Sequence, residues 1–144
     1  MNGKHSTAFE SLKRRPPAKN RGMLYGILFL AGGFCYVFLE LIWRGRSHVS
    51  MAIAGGVSLV LLFGVLRWLP HVTLLLRAMI GSAVITAVEF IAGAIVNVRL
   101  GLHVWEYSEL PYNCYGQICL RYSFLWFLLC VPLAETLRML SDTL

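Results

Sequence analysis

VTLLLRAMIGSAVITAVEFIAGAIVNV, residues 72–98, is an apolar run long enough to cross a bilayer, and its only charges are Arg77 and Glu89. A charge at mid-membrane costs about 2.5 to 3.5 kcal/mol on insertion scales, so Glu89 has to face protein or water. Steps of four, three, four and four residues from Ser82 reach Thr86, Glu89, Gly93 and Asn97, one polar or small stripe at helical spacing. The stripe predicts a face turned toward other helices. Glu89 at its centre reads either as a proton- or substrate-binding carboxylate in a cavity, or as hydrogen-bonding glue between helices.

Similar runs lie on both sides of this one. Gly22 to Leu39 is uncharged, too long for the core of a cleaved signal peptide, and reads as a retained first helix ending near Trp43. Val49 to Leu66 is the second, closed by Arg67, Trp68 and Pro70; Ile118 to about Leu137 is the last, with Pro132 inside it. The fold class expected is therefore an all-α integral membrane protein of about four transmembrane helices, over 22–43, 49–69, 72–98 and 118–140. Composition agrees. Of 144 residues, 58% are apolar and 14% charged, against roughly a quarter charged in a soluble domain. The length leaves no space for a nucleotide-binding domain, and no glycine-rich phosphate loop ending in Lys-Ser or Lys-Thr is present.

Residues 1–21 form a separate, basic and disordered cytoplasmic tail in this reading, with Lys4, Lys13, Arg14, Arg15, Lys19 and Arg21. Those bases, with Arg67, Arg77 and Arg138, outnumber Arg44, Arg46, Arg99 and Arg121 on the other side, so both termini are expected in the cytoplasm of a cell (inner or plasma) membrane. The tail is read as topogenic, with no nucleic-acid partner. The connection from Arg99 to Gln117 is rich in apolar and aromatic residues, which predicts an interfacial or re-entrant segment before helix four.

On helix one, Gly26, Gly33 and Glu40 recur at intervals of seven, and Arg44 stands one turn beyond Glu40, a spacing that favours an ion pair. Arg44, Arg46 and His48 then follow on the side where bases are disfavoured, which suggests partners for anionic groups or for Glu89 and Glu106; a solvated loop is the plain alternative. Aligning Glu40 with Glu89 sets Gly32-Gly33 over Gly81-Ser82, with Gly55-Gly56 and Gly116 as the following small-residue patches, and suggests two weakly similar two-helix halves. Cys35 and Cys130 read as packing residues, whereas Cys114 and Cys119 leave a disulfide open. Scattered histidines argue against a metal site, and no cofactor is expected.

The run Glu89, Gly93, Trp105-Glu106-Tyr107-Ser108, Pro111, Asn113, Gly116 and Trp126 resembles the signature of the Putative ABC-transporter type IV family, the CmpB-like permeases. Glu40-Leu-Ile-Trp-Arg-Gly, with Ser47-His48 and Ser50-Met51, is similar to the first half of that family; Glu106 departs from its usual Asp. The resemblance implies an integral membrane protein with a separate ATPase subunit as a partner. The resulting expectation is a permease-like transport component of unknown substrate, embedded among membrane lipids as a homo-oligomer. Glu89 is its central protonatable group, and Glu40, Arg44, Arg46, His48, Asn97, Trp105, Glu106, Tyr107, Asn113 and Gly116 are the other candidate site residues. The alternatives are a small proton-coupled exporter, or a membrane enzyme or lipid-binding regulator acting on a headgroup. Enzymatic activity is the less favoured reading.

Overall fold

Glycines and one tight turn decide how the apolar runs pair. In the computed structural model, which describes residues 18–144, they form α1 (Ala18–Arg44), α2 (Val49–Trp68), α3 (Leu74–Gly93) and α4 (Leu120–Thr143). All four are long and apolar enough to cross a membrane, and the protein is a multi-pass membrane protein. α1 starts at Ala18 rather than Gly22, and the tail expected over 1–21 lies, up to residue 17, outside the described residues.

Local chemistry sets the ends. α1 is closed by Gly45 in the left-handed region at φ +70°, with its N–H on the Leu41 carbonyl at 3.0 Å. Three residues later the His48 ring nitrogen accepts from the Ser50 N–H at 3.1 Å and starts α2. Thr73 caps α3 through Leu76, after Pro70 has prevented α2 from continuing. Arg77, buried one turn into α3, donates to the carbonyls of Pro70 (2.6 Å) and Val72 (3.1 Å). Its charge in an apolar span is thus satisfied by the α2–α3 turn.

The helices pack as two neighbouring hairpins, α1 with α2 and α3 with α4, joined mainly through α2 against α3. In the first hairpin the backbones touch: a Cβ on Gly32 would lie 2.5 Å from the Gly55 carbonyl oxygen, and one on Gly55 2.6 Å from that of Gly32. Small residues permit this approach, which replaces the hydrophobic drive absent between helices in lipid. The second hairpin is closed differently. Gly81 faces Cys130 of α4, whereas Gly116, aligned in sequence with Gly55-Gly56, lies in a loop and packs no helix. Leu62, Phe63, Ala78, Cys130 and Ala134 fill the centre, while Leu30 (71% exposed) and Phe34 (75%) turn outward as lipid-facing side chains do.

Beyond Gly93 the third span widens into a π-helical turn, Ala94–Arg99, and the chain folds back on it. The returning loop, which was expected to lie in the interface or re-enter, buries Trp105 at 4% exposure beside Tyr36 and Met51. It ends in a two-rung antiparallel hairpin, Asn113–Cys114 with Ile118–Cys119. There Cys114 and Cys119 occupy neighbouring rungs, so their side chains leave opposite faces, one exposed and one buried. Both are free thiols, and the disulfide left open by the sequence does not form.

Candidate functional site

Tyr36, Glu40 and Arg44 follow one another at four-residue spacing and so share a face of α1. Because α1 pairs with α2 and α4 with α3, that face looks across a gap toward α4. The gap is a cavity of about 420 Å³, with Glu89 of α3, Tyr107 of the loop, and Tyr122 and Trp126 of α4 completing its walls. Glu89 is 5% exposed and accepts a hydrogen bond from the Tyr36 hydroxyl at 2.5 Å. Rings surround this bond. Tyr36 meets Trp126 at 5.3 Å between centroids, Tyr107 stacks on Tyr122 at 4.7 Å, and Trp43 donates its indole N–H to the Tyr122 hydroxyl at 3.3 Å. The Trp126 indole nitrogen is buried with no hydrogen-bond partner among the described residues.

The charges are unevenly matched. Arg44 donates to one carboxylate oxygen of Glu40 through Nε at 2.8 Å and also through Nη2, forming the expected ion pair. Glu89 has no ion-pair partner among the described residues. Burial pushes the Tyr107 phenol well above its ordinary value, so it stays neutral and keeps its proton as a donor. The chemistry available is therefore a shielded carboxyl able to take up a proton or a positive group, hydrogen-bonded to the Tyr36 hydroxyl, in a cavity that Tyr107 also lines.

Of the residues nominated by sequence, Glu89, Glu40, Arg44 and Tyr107 come together in this cavity, and the others do not line it. Arg46 and His48 are exposed in the α1–α2 connection, where His48 serves as the cap. Glu106 is exposed and accepts from Ser108 at 2.5 Å. Asn97 holds the loop instead: its amide donates to the Trp105 carbonyl and the Gln117 side chain, both at 2.9 Å, and its oxygen accepts from the Val104 N–H at 2.8 Å. Trp105 donates to the Gln117 carbonyl at 2.9 Å. Asn113 braces the next turn through Leu110 and Gly116, and Gly116 itself sits at φ +69°, where a Cβ would fall 2.4 Å from Ser108 Oγ.

The polar stripe on α3 does turn inward, but it divides among three neighbours. Ser82 donates to the Ser123 carbonyl at 2.6 Å, and Thr86 bonds the Ser123 hydroxyl at 2.9 Å, both on α4. Glu89 turns to α1. Gly93 and Asn97 lie under the loop, where a Cβ on Gly93 would meet Gln117 Oε1 at 2.5 Å. Tyr36 and Trp126 were not among the nominated site residues, although both carried a signal. Trp126 ends the run that resembles the family signature, and Tyr36 stands one turn before Glu40 and one turn after the Gly32-Gly33 contact, in register with both.

Four membrane-crossing helices around a cavity that holds a buried carboxyl define a polytopic membrane protein with an internal polar site. The chain belongs to the family described as Putative ABC-transporter type IV, whose family model matches residues 6–144. No curated protein and no solved structure matches it.

Proposed function

We propose that this chain is the membrane component of a transporter, and that its substrate binds in the cavity between α1 and α4, with Glu89 as the group it engages. The observation that carries this reading is the placement of Glu89: buried, in a cavity large enough for a small molecule, and bonded to a neutral phenol rather than to a base. Membership of the family supports a transport role and a separate ATPase partner. A carboxyl needed only as glue between helices would be expected on a closed helix contact, and here it lines open volume. The site residues on this reading are Glu89 and Tyr107, with Glu40 and Arg44 at the mouth. Asn97, Trp105, Asn113 and Gly116 keep the covering loop in place. The protein would sit in the cell membrane with both termini cytoplasmic, as a homo-oligomer among lipids.

The test is co-purification from native membranes followed by flux. A tagged chain cross-linked in place should retain an ATPase subunit. The reconstituted complex should show ATP-dependent movement of solute that falls at least about tenfold in Glu89→Gln, if the carboxyl is used in the transition between states. Wild-type flux in Glu89→Gln would remove Glu89 from the mechanism. Flux driven by a pH gradient with no ATPase present would favour the proton-coupled exporter, which the same buried carboxyl would serve.

A further inference from the structure

Three features of the cavity, taken together, specify the class of molecule it accepts. Among the described residues lining it, the ionisable acids are Glu40 and Glu89 and Arg44 is the only base. Arg44 is paired with Glu40 through Nε and Nη2, so that pair is neutral as a unit, and among the described residues no ion pair offsets the charge of Glu89 when it is ionised. The wall around Glu89 is aromatic, carrying the rings of Tyr36, Trp126, Tyr107 and Tyr122. Aromatic faces carry negative quadrupole and attract a cation within about 6 Å of the ring centroid, most strongly when water is excluded. An anion here would meet the uncompensated carboxylate of Glu89. The third feature is the mouth. Leu39 and Ile42 on α1, and Leu128 and Leu129 on α4, line the cavity and are also exposed on the outside of the bundle, so the opening passes through an apolar, lipid-facing surface.

We propose that the α1–α4 cavity binds an organic cation with an apolar body, an alkyl- or aryl-ammonium or its equivalent, which enters sideways from the membrane and places its charge between Glu89 and the surrounding rings. The apolar body would lie against the leucines of the mouth while the cationic head replaces water at the carboxylate. Such a group could be carried by a lipid, as in a choline headgroup, or by a free lipophilic amine; the recognition chemistry is the same. The inference rests on the transport reading for its biological meaning but stands on a binding measurement that needs no transport.

The probe is tetraphenylphosphonium, whose charge needs no proton, with tetraphenylborate as the anion of the same shape. Equilibrium dialysis on the full chain in phosphatidylglycerol nanodiscs, corrected by empty discs, should show saturable binding of the cation at one per chain. Glu89→Gln, which keeps an oxygen for the Tyr36 bond, should weaken it about tenfold or more, and Glu89→Asp, which keeps the charge, by no more than about threefold. Arg44→Gln releases Glu40 and should tighten binding several-fold, a sign that a merely structural role for either residue does not produce. Titrating a short-chain phosphocholine lipid into the phosphatidylglycerol discs at constant surface charge separates the sources: competition with the probe identifies a lipid-borne ammonium as ligand, and none identifies a free cation. Equal affinity in wild type and Glu89→Gln overturns the proposal, as does the absence of saturable cation binding. Saturable tetraphenylborate binding lost in Arg44→Gln overturns the cation class while leaving a transport site in the same cavity, which the flux of the reconstituted complex decides separately.

Discussion

The Tyr36 hydroxyl on α1 donates to the Glu89 carboxyl on α3 at 2.5 Å, joining the two hairpins through a bond between residues 53 positions apart. No other hydrogen bond between side chains connects α1 to α3 among the described residues. Removing its donor leaves a buried carboxyl without its partner, so Tyr36→Phe should destabilise the folded protein by about 1–3 kcal/mol. The checkable form is a double-mutant cycle with Glu89→Leu, read from denaturant titration in mild detergent. A coupling near ~1 kcal/mol is expected, and additive single effects would show that the bond contributes nothing.

A second prediction separates glycines that are needed from those that only look alike in sequence. Gly32 and Gly55 approach each other's backbone, so valine at either position must push α1 from α2 and should cost at least about 1–3 kcal/mol. A methyl group added at Gly26 or Gly64 would meet nothing within 4 Å, so Ala at these positions should not destabilise the protein, and helix propensity favours it by up to about 1 kcal/mol. Equal losses at all four sites would contradict the backbone contact.

That contrast also marks where sequence reading stopped. The four helices were legible because apolar runs of roughly twenty residues have no soluble explanation, and the acids stood out because each is costly in lipid. The heptad through Gly26, Gly33 and Glu40 was misleading at its first member: Gly26 faces open space, and the working stripe is Gly33, Tyr36, Glu40 and Arg44. Tyr36 and Trp126 were passed over because aromatic residues are plentiful in any membrane protein; the bond from Tyr36 to Glu89 and the packing of Trp126 on Tyr36 single them out. Asn97 was legible as an inward polar residue, but its bonds to Trp105 and Gln117 depend on a π-helical turn and a reversing loop that no local pattern announced.

The loop clamp yields a third prediction. Asn97→Leu removes the acceptor for the Val104 N–H and the donor to the Trp105 carbonyl, both buried or half-buried, and should loosen the cover over Gly93 and Tyr36. Trp105 would then leave its apolar surroundings. In a variant with Trp43, Trp68 and Trp126 changed to Phe, the remaining Trp105 emission should move to longer wavelength on adding Asn97→Leu, with a stability loss of about 1–3 kcal/mol. An unmoved spectrum would mean that the loop is held by other contacts.

The last prediction tests orientation through the cysteines. Cys114 is exposed on the loop at the end of the bundle that also carries Arg44, whereas Cys119 and Cys130 are buried and Cys35 projects from the mid-portion of α1. A charged, membrane-impermeant maleimide therefore has one ready target in the folded chain. Labelling depends on the thiolate and on water, and a thiol on a lipid-facing helix lacks both, so Cys35 should react slowly although it is uncovered by protein. If the tail bases with Arg67, Arg77 and Arg138 hold their side in the cytoplasm, Cys114 faces outward. Intact cells should then be labelled, and Cys114→Ser should abolish most of the signal. Labelling seen only in inverted membrane vesicles would reverse the topology, carrying the cavity mouth near Glu40 and Arg44 to the cytoplasmic leaflet. That outcome would leave the Tyr36–Glu89 bond untouched and change only the leaflet from which a ligand enters.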